Sequence, residues 1–195
     1  LTKICAGKNR ARLILWTHGE HVDADPRHVL PFYLERFGRQ VEEQAFRGYR
    51  IQTYELVSSQ VDFGQPLSFS TTPATFTSGL ALQAVAHQPQ TPSGSAAWVA
   101  LRWRVEQPPS ADYKASLRLV GNAGQLVGQS DVWLLSNDHC RTCQWSPGAV
   151  VTTYHLISAL PGTPPGDYGL ELVLYEPESQ AAISADDGTG GFSDK

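Results

Sequence analysis

The sequence predicts a mainly β protein: an antiparallel β-sandwich, Ig-like or jelly-roll-like, preceded by a small α/β segment. Three observations predict it. Pro164-Pro165-Gly166 sets a tight turn, and after it Leu170, Leu172 and Leu174 fall on one face of a strand. Over 98–105 the chain alternates, with Val99, Leu101, Trp103 and Val105 on one face and Arg102 and Arg104 on the other. From residue 80 onward, short strand patterns and turn signals follow one another with no helical pattern between them.

Residues 1–58 read as strand, helix, strand. Arg12-Leu13-Ile14-Leu15-Trp16 is an apolar run of the buried-strand kind. Asp25-Pro26 offers a helix cap followed by proline, and Pro31 argues for a turn over 25–28 with the main helix over 31–37, stopped by Gly38. Arg50-Ile51-Gln52-Thr53-Tyr54-Glu55-Leu56 is the next strand. Strand, helix, strand implies a right-handed parallel crossover. Two strands make a marginal sheet, so the segment is expected to finish a small α/β unit begun upstream, or to pack on the sandwich.

Residues 59–79 are rich in Ser, Thr, Pro and Gly and read as a linker or edge segment. Strands are expected at 80–87, 98–105, 113–120, 125–133, 149–157 and 168–176, forming a sandwich over 80–185. In 113–120, Ala115, Leu117 and Leu119 should point inward, against Lys114, Ser116 and Arg118. Gly121-Asn122-Ala123-Gly124 lacks the Lys-Ser/Thr ending of a phosphate loop and precedes a strand, so it reads as a hairpin turn. The tail, 186–195, is Gly, Ser and Asp and is expected to fray.

The chain has 195 residues, enough for one large domain or two small ones, and its 41% hydrophobic and 17% charged residues are those of a folded protein. A net charge of -4 with no basic stripe gives no footprint for nucleic acid. The first residue is Leu1 and no Met occurs, so a piece of a longer protein is expected. The apolar runs fall far short of the roughly 20 residues of a membrane span.

Candidate chemistry is sparse. His139, Cys140 and Cys143 offer thiolate and imidazole ligands, but a structural zinc needs a fourth, from Cys5, His155 or His87. We expect no metal and no cofactor. Cys140 and Cys143 could instead close a local disulfide in an oxidising compartment, or stay as two loop thiols. His18, His21 and His28, with Asp23 and Asp25, cluster after the first strand, where ligand loops of α/β units lie, but His18 and His21 lack the spacing of a helical metal pair and the region reads as a solvated polar loop. No Gly-x-Ser-x-Gly elbow is present, and Glu42-Glu43 and Asp186-Asp187 lack an acid/base partner, so no catalytic residue is assigned. Trp98, Trp133 and Trp145 are the rings best placed for a sugar-stacking platform, while Trp103 should be core.

Two segments carry a family resemblance. The first comprises Leu117-Arg-Leu-Val-Gly-Asn-Ala-Gly-Gln-Leu-Val-Gly-Gln-Ser-Asp131, Trp145-Ser-Pro-Gly148, and Leu160-Pro161 onward to Leu174-Tyr-Glu-Pro177. The second is the stretch 12–56, with its Arg-Leu-Ile-Leu-Trp strand, polar loop, short helix and Tyr49-Arg-Ile-Gln-Thr-Tyr-Glu-Leu56. Together they resemble the extracytoplasmic C-terminal β-sandwich region of bacterial multi-spanning glycosyltransferases of the dolichyl-phosphate-mannose-protein mannosyltransferase type, and the stretch preceding it. The resemblance implies a non-catalytic accessory domain, held at the extracytoplasmic side by a membrane-embedded part of the parent chain, with a glycan or lipid-linked sugar as possible partner. The family's catalytic carboxylates would lie outside this chain. Cys140 and Cys143 depart from the pattern, in which that loop carries small polar residues. The alternative is a carbohydrate- or ligand-binding sandwich module of a secreted or envelope protein.

Overall fold

A computed structural model describes residues 1–17, 24–92, 94–185 and 192–194. The protein is mainly β, with three antiparallel sheets, and divides into two compact units, Leu1–Leu67 and Ser68–Lys195. The division falls inside the stretch read as a linker or edge segment.

The first unit runs α1 (Thr2–Cys5), β1 (Arg10–Trp16), α2 (Val29–Arg36), β2 (Gly38–Phe46) and β3 (Tyr49–Leu56). Its sheet has the order β1-β3-β2, and both pairings are antiparallel. The expected parallel crossover is therefore wrong. A third strand, β2, follows α2 at once and reverses the chain before β3. Gly38 does not end the helix and release the chain; it opens β2, where an added Cβ would collide with the Glu55 carbonyl oxygen. The strand hid itself because it lies on the sheet edge with Glu42, Glu43 and Gln44 in sequence, so no apolar alternation marks it.

Helix α2 begins two residues earlier than expected. The Asp25 carboxylate accepts the Val29 N–H at 3.0 Å and the Leu30 N–H at 2.7 Å, so it caps the first turn from four residues upstream. Pro31 then sits in that first turn, where its missing N–H costs nothing. The helix covers one face of the sheet, where Leu34, Phe37, Tyr54, Leu56, Phe63 and Cys5 form a small core. Arg36 ties the exit segment to the helix by donating to Gln65 O and Pro66 O, each at 2.7 Å.

The second unit contains β4 (Ser70–Thr75), β5 (Leu80–His87), β6 (Ala96–Val105), β7 (Lys114–Val120), β8 (Leu126–Trp133), β9 (Val150–Ser158), β10 (Gly169–Glu176), β11 (Ala181–Ala182) and β12 (Phe192–Asp194). One sheet has the order β4-β5-β6-β9; the other has β8-β7-β10, with β11 and β12 pairing the far edge of β10. The core lies between them. Val99, Leu101, Trp103, Leu117, Leu170, Leu172 and Leu174 are all buried, Leu119 packs half-buried against them, and Arg104 is exposed. Ser116, expected outward, is buried as well, because the Gln129 amide on the same outer face donates to its hydroxyl at 3.1 Å. Strand β4 makes residues 70–75 an edge strand, and β12 gives the tail a paired stretch where fraying was expected.

The two sheets join along β8 and β9. Gly128 bridges Ala159, and the Leu160 N–H donates to Val127 O at 2.7 Å. An added Cβ on Gly128 would sit 2.8 Å from the Ser158 carbonyl oxygen, so only glycine permits this approach. The Gly121–Gly124 stretch is the β7–β8 turn, closed by Gly121 N–H to Gln125 O at 2.9 Å, with Gly124 at φ +77°.

Candidate functional site

The cysteine loop is built by hydrogen bonds to the start of β7. Thr142, fully buried in a single 3-10 turn (Thr142–Gln144), accepts the Tyr113 N–H at 2.9 Å and donates to Ala111 O at 2.9 Å. Asp112 accepts the Cys143 N–H at 3.2 Å and faces Arg141 at 3.7 Å. Ser136 Oγ accepts the Cys140 N–H at 3.1 Å, and the Trp145 indole N–H donates to Cys140 O at 3.0 Å. The sequence left two states open for this loop, a Cys140–Cys143 disulfide or two free thiols. Cys140 and Cys143 are both free, and Thr142 between them pins the loop.

The two thiols have different surroundings. Cys140 packs half-buried against the sandwich core. Cys143 is exposed, and hydrogen bonding to the Asp112 carboxylate pushes its thiol above the ordinary range. A thiol held protonated is a poor nucleophile. His139 stands beside them at a left-handed φ of 62°.

The other candidate metal ligands are occupied elsewhere. Cys5 is buried in the core of the first unit. His87 is exposed at the end of β5, its Nδ1 3.1 Å from Gln88 O. His155 points into the sandwich. Its Nε2 lies 3.1 Å from Thr153 Oγ1, which also accepts the Trp103 indole N–H at 3.0 Å. Thr153 serves both neighbours when its hydroxyl donates to His155 Nε2 and its oxygen accepts from the indole. Among the described residues no group of three His, Cys, Asp or Glu side chains could hold a metal ion.

Trp98, Trp133 and Trp145 do not make a common platform. Trp145 is buried in the core. Trp98 and Trp133 lie on different sheets, each on the side opposite the core, since their neighbours Val99 and Ala115 point inward. The Trp133 ring is already flanked by cations, the Arg141 guanidinium at 4.0 Å and the Lys114 ammonium at 4.9 Å. Of the loop cluster after β1, His18, His21 and Asp23 lie outside the described residues. Asp25 is committed to capping α2, and His28 is an exposed residue at φ 56°.

Two arrangements had no clear sequence signal. The first is a polar network on the helix-covered face of the small sheet. Glu35 is buried and accepts the Gln40 N–H at 3.4 Å; burial pushes its carboxyl up to about 7. Glu43 is held below the usual carboxylate range, chiefly by the Gln52 amide at 2.8 Å and also by Arg50 at 3.4 Å. The buried Tyr54 hydroxyl lies 3.0 Å from Gln52 Oε1, and burial together with the Glu35 and Glu43 charges raises its pKa.

The second is an aromatic row at one end of that sheet, on the opposite face. Register aligns Trp16 with Tyr49 and Tyr49 with Phe46. The Phe46 and Tyr49 rings stack at 4.9 Å and 14°, and Trp16 meets Tyr49 at 5.8 Å and 56°. Phe46 is 46% exposed and Trp16 is 49% exposed, a large aromatic surface for one hairpin end.

No family model matches the sequence, and no curated protein matches it. Among solved structures, a β-glucuronidase from Bacteroides uniformis aligns with 77% of this chain at 11% identity and a TM-score of 0.31. The chain spans 19% of that structure's length, and a likeness of this strength carries no argument.

Proposed function

We propose that this chain is a non-catalytic, extracytoplasmic accessory domain of a membrane-bound glycosyltransferase-like protein. One observation supports the reading above the others. The residues that carry the family resemblance, 117–131, 145–148 and 160–177, are spent on β7, β8, β10 and the turns between them. They form scaffold, and the polar groups among and beside them serve that scaffold. Thr142 and Asp112 fix the cysteine loop, and Thr153 and His155 fill the core.

On this reading the sandwich positions or shields the membrane-embedded part of the parent chain, where the transfer chemistry occurs, and a glycan or lipid-linked sugar is the molecule handled there. Among the described residues no helix is long and apolar enough to cross a membrane. The alternative, a carbohydrate-binding module, loses its three-tryptophan platform and would have to use Trp98 singly. The test has two arms. The isolated chain incubated with activated sugar donors should transfer nothing, and removing 68–195 from the parent protein should lower its transfer rate while leaving its membrane insertion intact. Sugar turnover by the isolated chain, abolished on mutating His18 or Asp23, would overturn the proposal.

A further inference from the structure

The last turn of α2 carries a carboxyl whose charge its own packing opposes. Glu35 is 5% exposed, beside the Leu34 that anchors the helix in the small core. Among the described residues its one hydrogen bond comes from the Gln40 N–H, at a long 3.4 Å. That bond ties the helix to the start of β2 across 36–39, next to the bulge where the β2–β3 register slips between Gln40 and Glu42. A carboxylate held by one weak donor and shut from water is poorly stabilised, whereas the neutral acid is not.

The groups around Glu35 do not replace that water. Register places Ala11, Tyr54 and Gln40 in one row of the helix-covered face, and Leu13, Gln52 and Glu43 in the next. Strand β1 thus offers two apolar side chains. Strand β3 offers the Tyr54 hydroxyl, which lies 3.0 Å from Gln52 Oε1 and 3.4 Å from Gln40 Oε1. Strand β2 offers Glu43, an anion already engaged by Gln52 and by Arg50 from β3. Arg39 is the cation whose charge reaches Glu35, but its guanidinium stands 3.8 Å from Glu55. Cys5 and Phe63 complete the core, and the Asp62 carboxylate beside Phe63 accepts the Gly64 N–H at 2.9 Å. On the helix itself, Arg36 donates to Gln65 O and Pro66 O.

We propose that α2 is a proton-controlled cover, closed on the small sheet while Glu35 is protonated and opening locally when Glu35 ionises. Burial sets the working range by pushing this carboxyl from 4.5 up to about 7. With the folded-state value raised, closure is fully favoured below pH 4.5 and is lost as pH rises through 7. Glu43, with its lowered pKa, stays charged across the upper part of that range and contributes no change there. Histidines do change charge in it, so the test must separate them from Glu35.

Amide hydrogen exchange of the full chain, with each rate divided by its intrinsic rate at the same pH, reads the opening. Between pH 5 and pH 8 the amides of 33–37 should open roughly fiftyfold more, the factor that a rise from 4.5 to about 7 implies. The β1–β3 ladder, and Leu117 and Leu172 in the sandwich, should change by less than about threefold. Glu35→Gln keeps the shape of the side chain and every histidine, and should hold α2 closed at both values. The wild-type series stands by itself if that variant misfolds. Equal opening of 33–37 at the two pH values overturns the proposal, and so does a rise that Glu35→Gln retains. A rise shared equally by the β1–β3 ladder or the sandwich also overturns it, since the event is then unfolding and not the movement of a cover.

Discussion

The two units solve the problem of covering a sheet in different ways. In the sandwich, each sheet covers the other, and a single cluster running from Phe76 to Ala185 fills the space between. In the first unit, one face of the three-stranded sheet is covered by an eight-residue helix and six buried residues, and the other face stays partly open. The consequence is a difference in what the polar residues do. In the sandwich, the buried polar groups are neutral hydroxyls, an indole and an imidazole, and Trp103, Thr153 and His155 are linked to one another within the core. In the first unit, a carboxyl carried by the helix is buried and aromatic rings face solvent. A sheet covered on one side by a small helix leaves more of its surface for other work.

The comparison breaks first at the sandwich core. Leu172 is 1% exposed at the centre of β10, so Leu172→Ala should cost about 2–5 kcal/mol, measured by urea unfolding. A loss under about 1 kcal/mol would mean that the two sheets are not packed through this residue.

The next effect is in the first unit and depends on pH. Burial raises Glu35 from 4.5 to about 7, with the Gln40 N–H and Arg39 opposing the rise. A carboxyl with a raised folded-state pKa favours the fold while protonated. Its contribution is fully present below pH 4.5 and is lost as pH rises through 7. The loss is at most about 3 kcal/mol. Glu43, with its lowered pKa, acts in the opposite sense and loses its contribution as pH falls below the usual carboxylate range. Glu35→Gln should therefore stabilise the first unit at pH 8 and change little at pH 4, read as melting curves at the two values. An equal effect at both values would remove the burial explanation.

A smaller effect tests the buried polar chain. Thr153→Val takes away the partner of both the Trp103 indole and His155 Nε2, and should cost about 1–3 kcal/mol despite keeping the side-chain volume. Trp103→Phe alongside it should cost less than the sum of the two single changes, since they share a bond.

The same contrast explains what could be read from the residues. The sandwich strands alternate because one face is core and the other is wet, so 80–87, 98–105, 113–120 and 168–176 were visible to within two residues. Strand β2 carries Glu42, Glu43 and Gln44 on a sheet edge, and nothing in such a run separates strand from loop. The helix cap was half visible. Asp25 was recognised, but its reach across Pro26-Arg27-His28 to Val29 and Leu30 depends on a turn geometry that no spacing rule supplies. The aromatic tip was illegible for another reason. Trp16 ended what read as a buried strand, and Phe46 belonged to a strand not seen, so only the register of β1, β3 and β2 brings the rings together. Trp145 was misplaced because a tryptophan after a loop gives no sign that its indole N–H will find the Cys140 carbonyl and bury the ring.

The smallest effect concerns reactivity in the cysteine loop. With Cys140 and Cys143 free and Cys5 buried, the native chain should titrate as two accessible thiols, and the third should appear only on unfolding. Cys143 should react slowly for an exposed thiol, because the Asp112 carboxylate accepts its hydrogen and disfavours the thiolate. Asp112→Asn removes that charge while keeping an oxygen for the Cys143 N–H, so alkylation at pH 8 should accelerate. The fold should be unaffected, since the buried Thr142 still holds the loop through Tyr113 and Ala111. Thr142→Val should do the reverse, loosening the loop and freeing Cys143 from Asp112, so that melting temperature falls as reactivity rises. If the native chain shows no reactive thiol, a Cys140–Cys143 disulfide is what pins the loop, and Thr142→Val should then leave the melting temperature nearly unchanged.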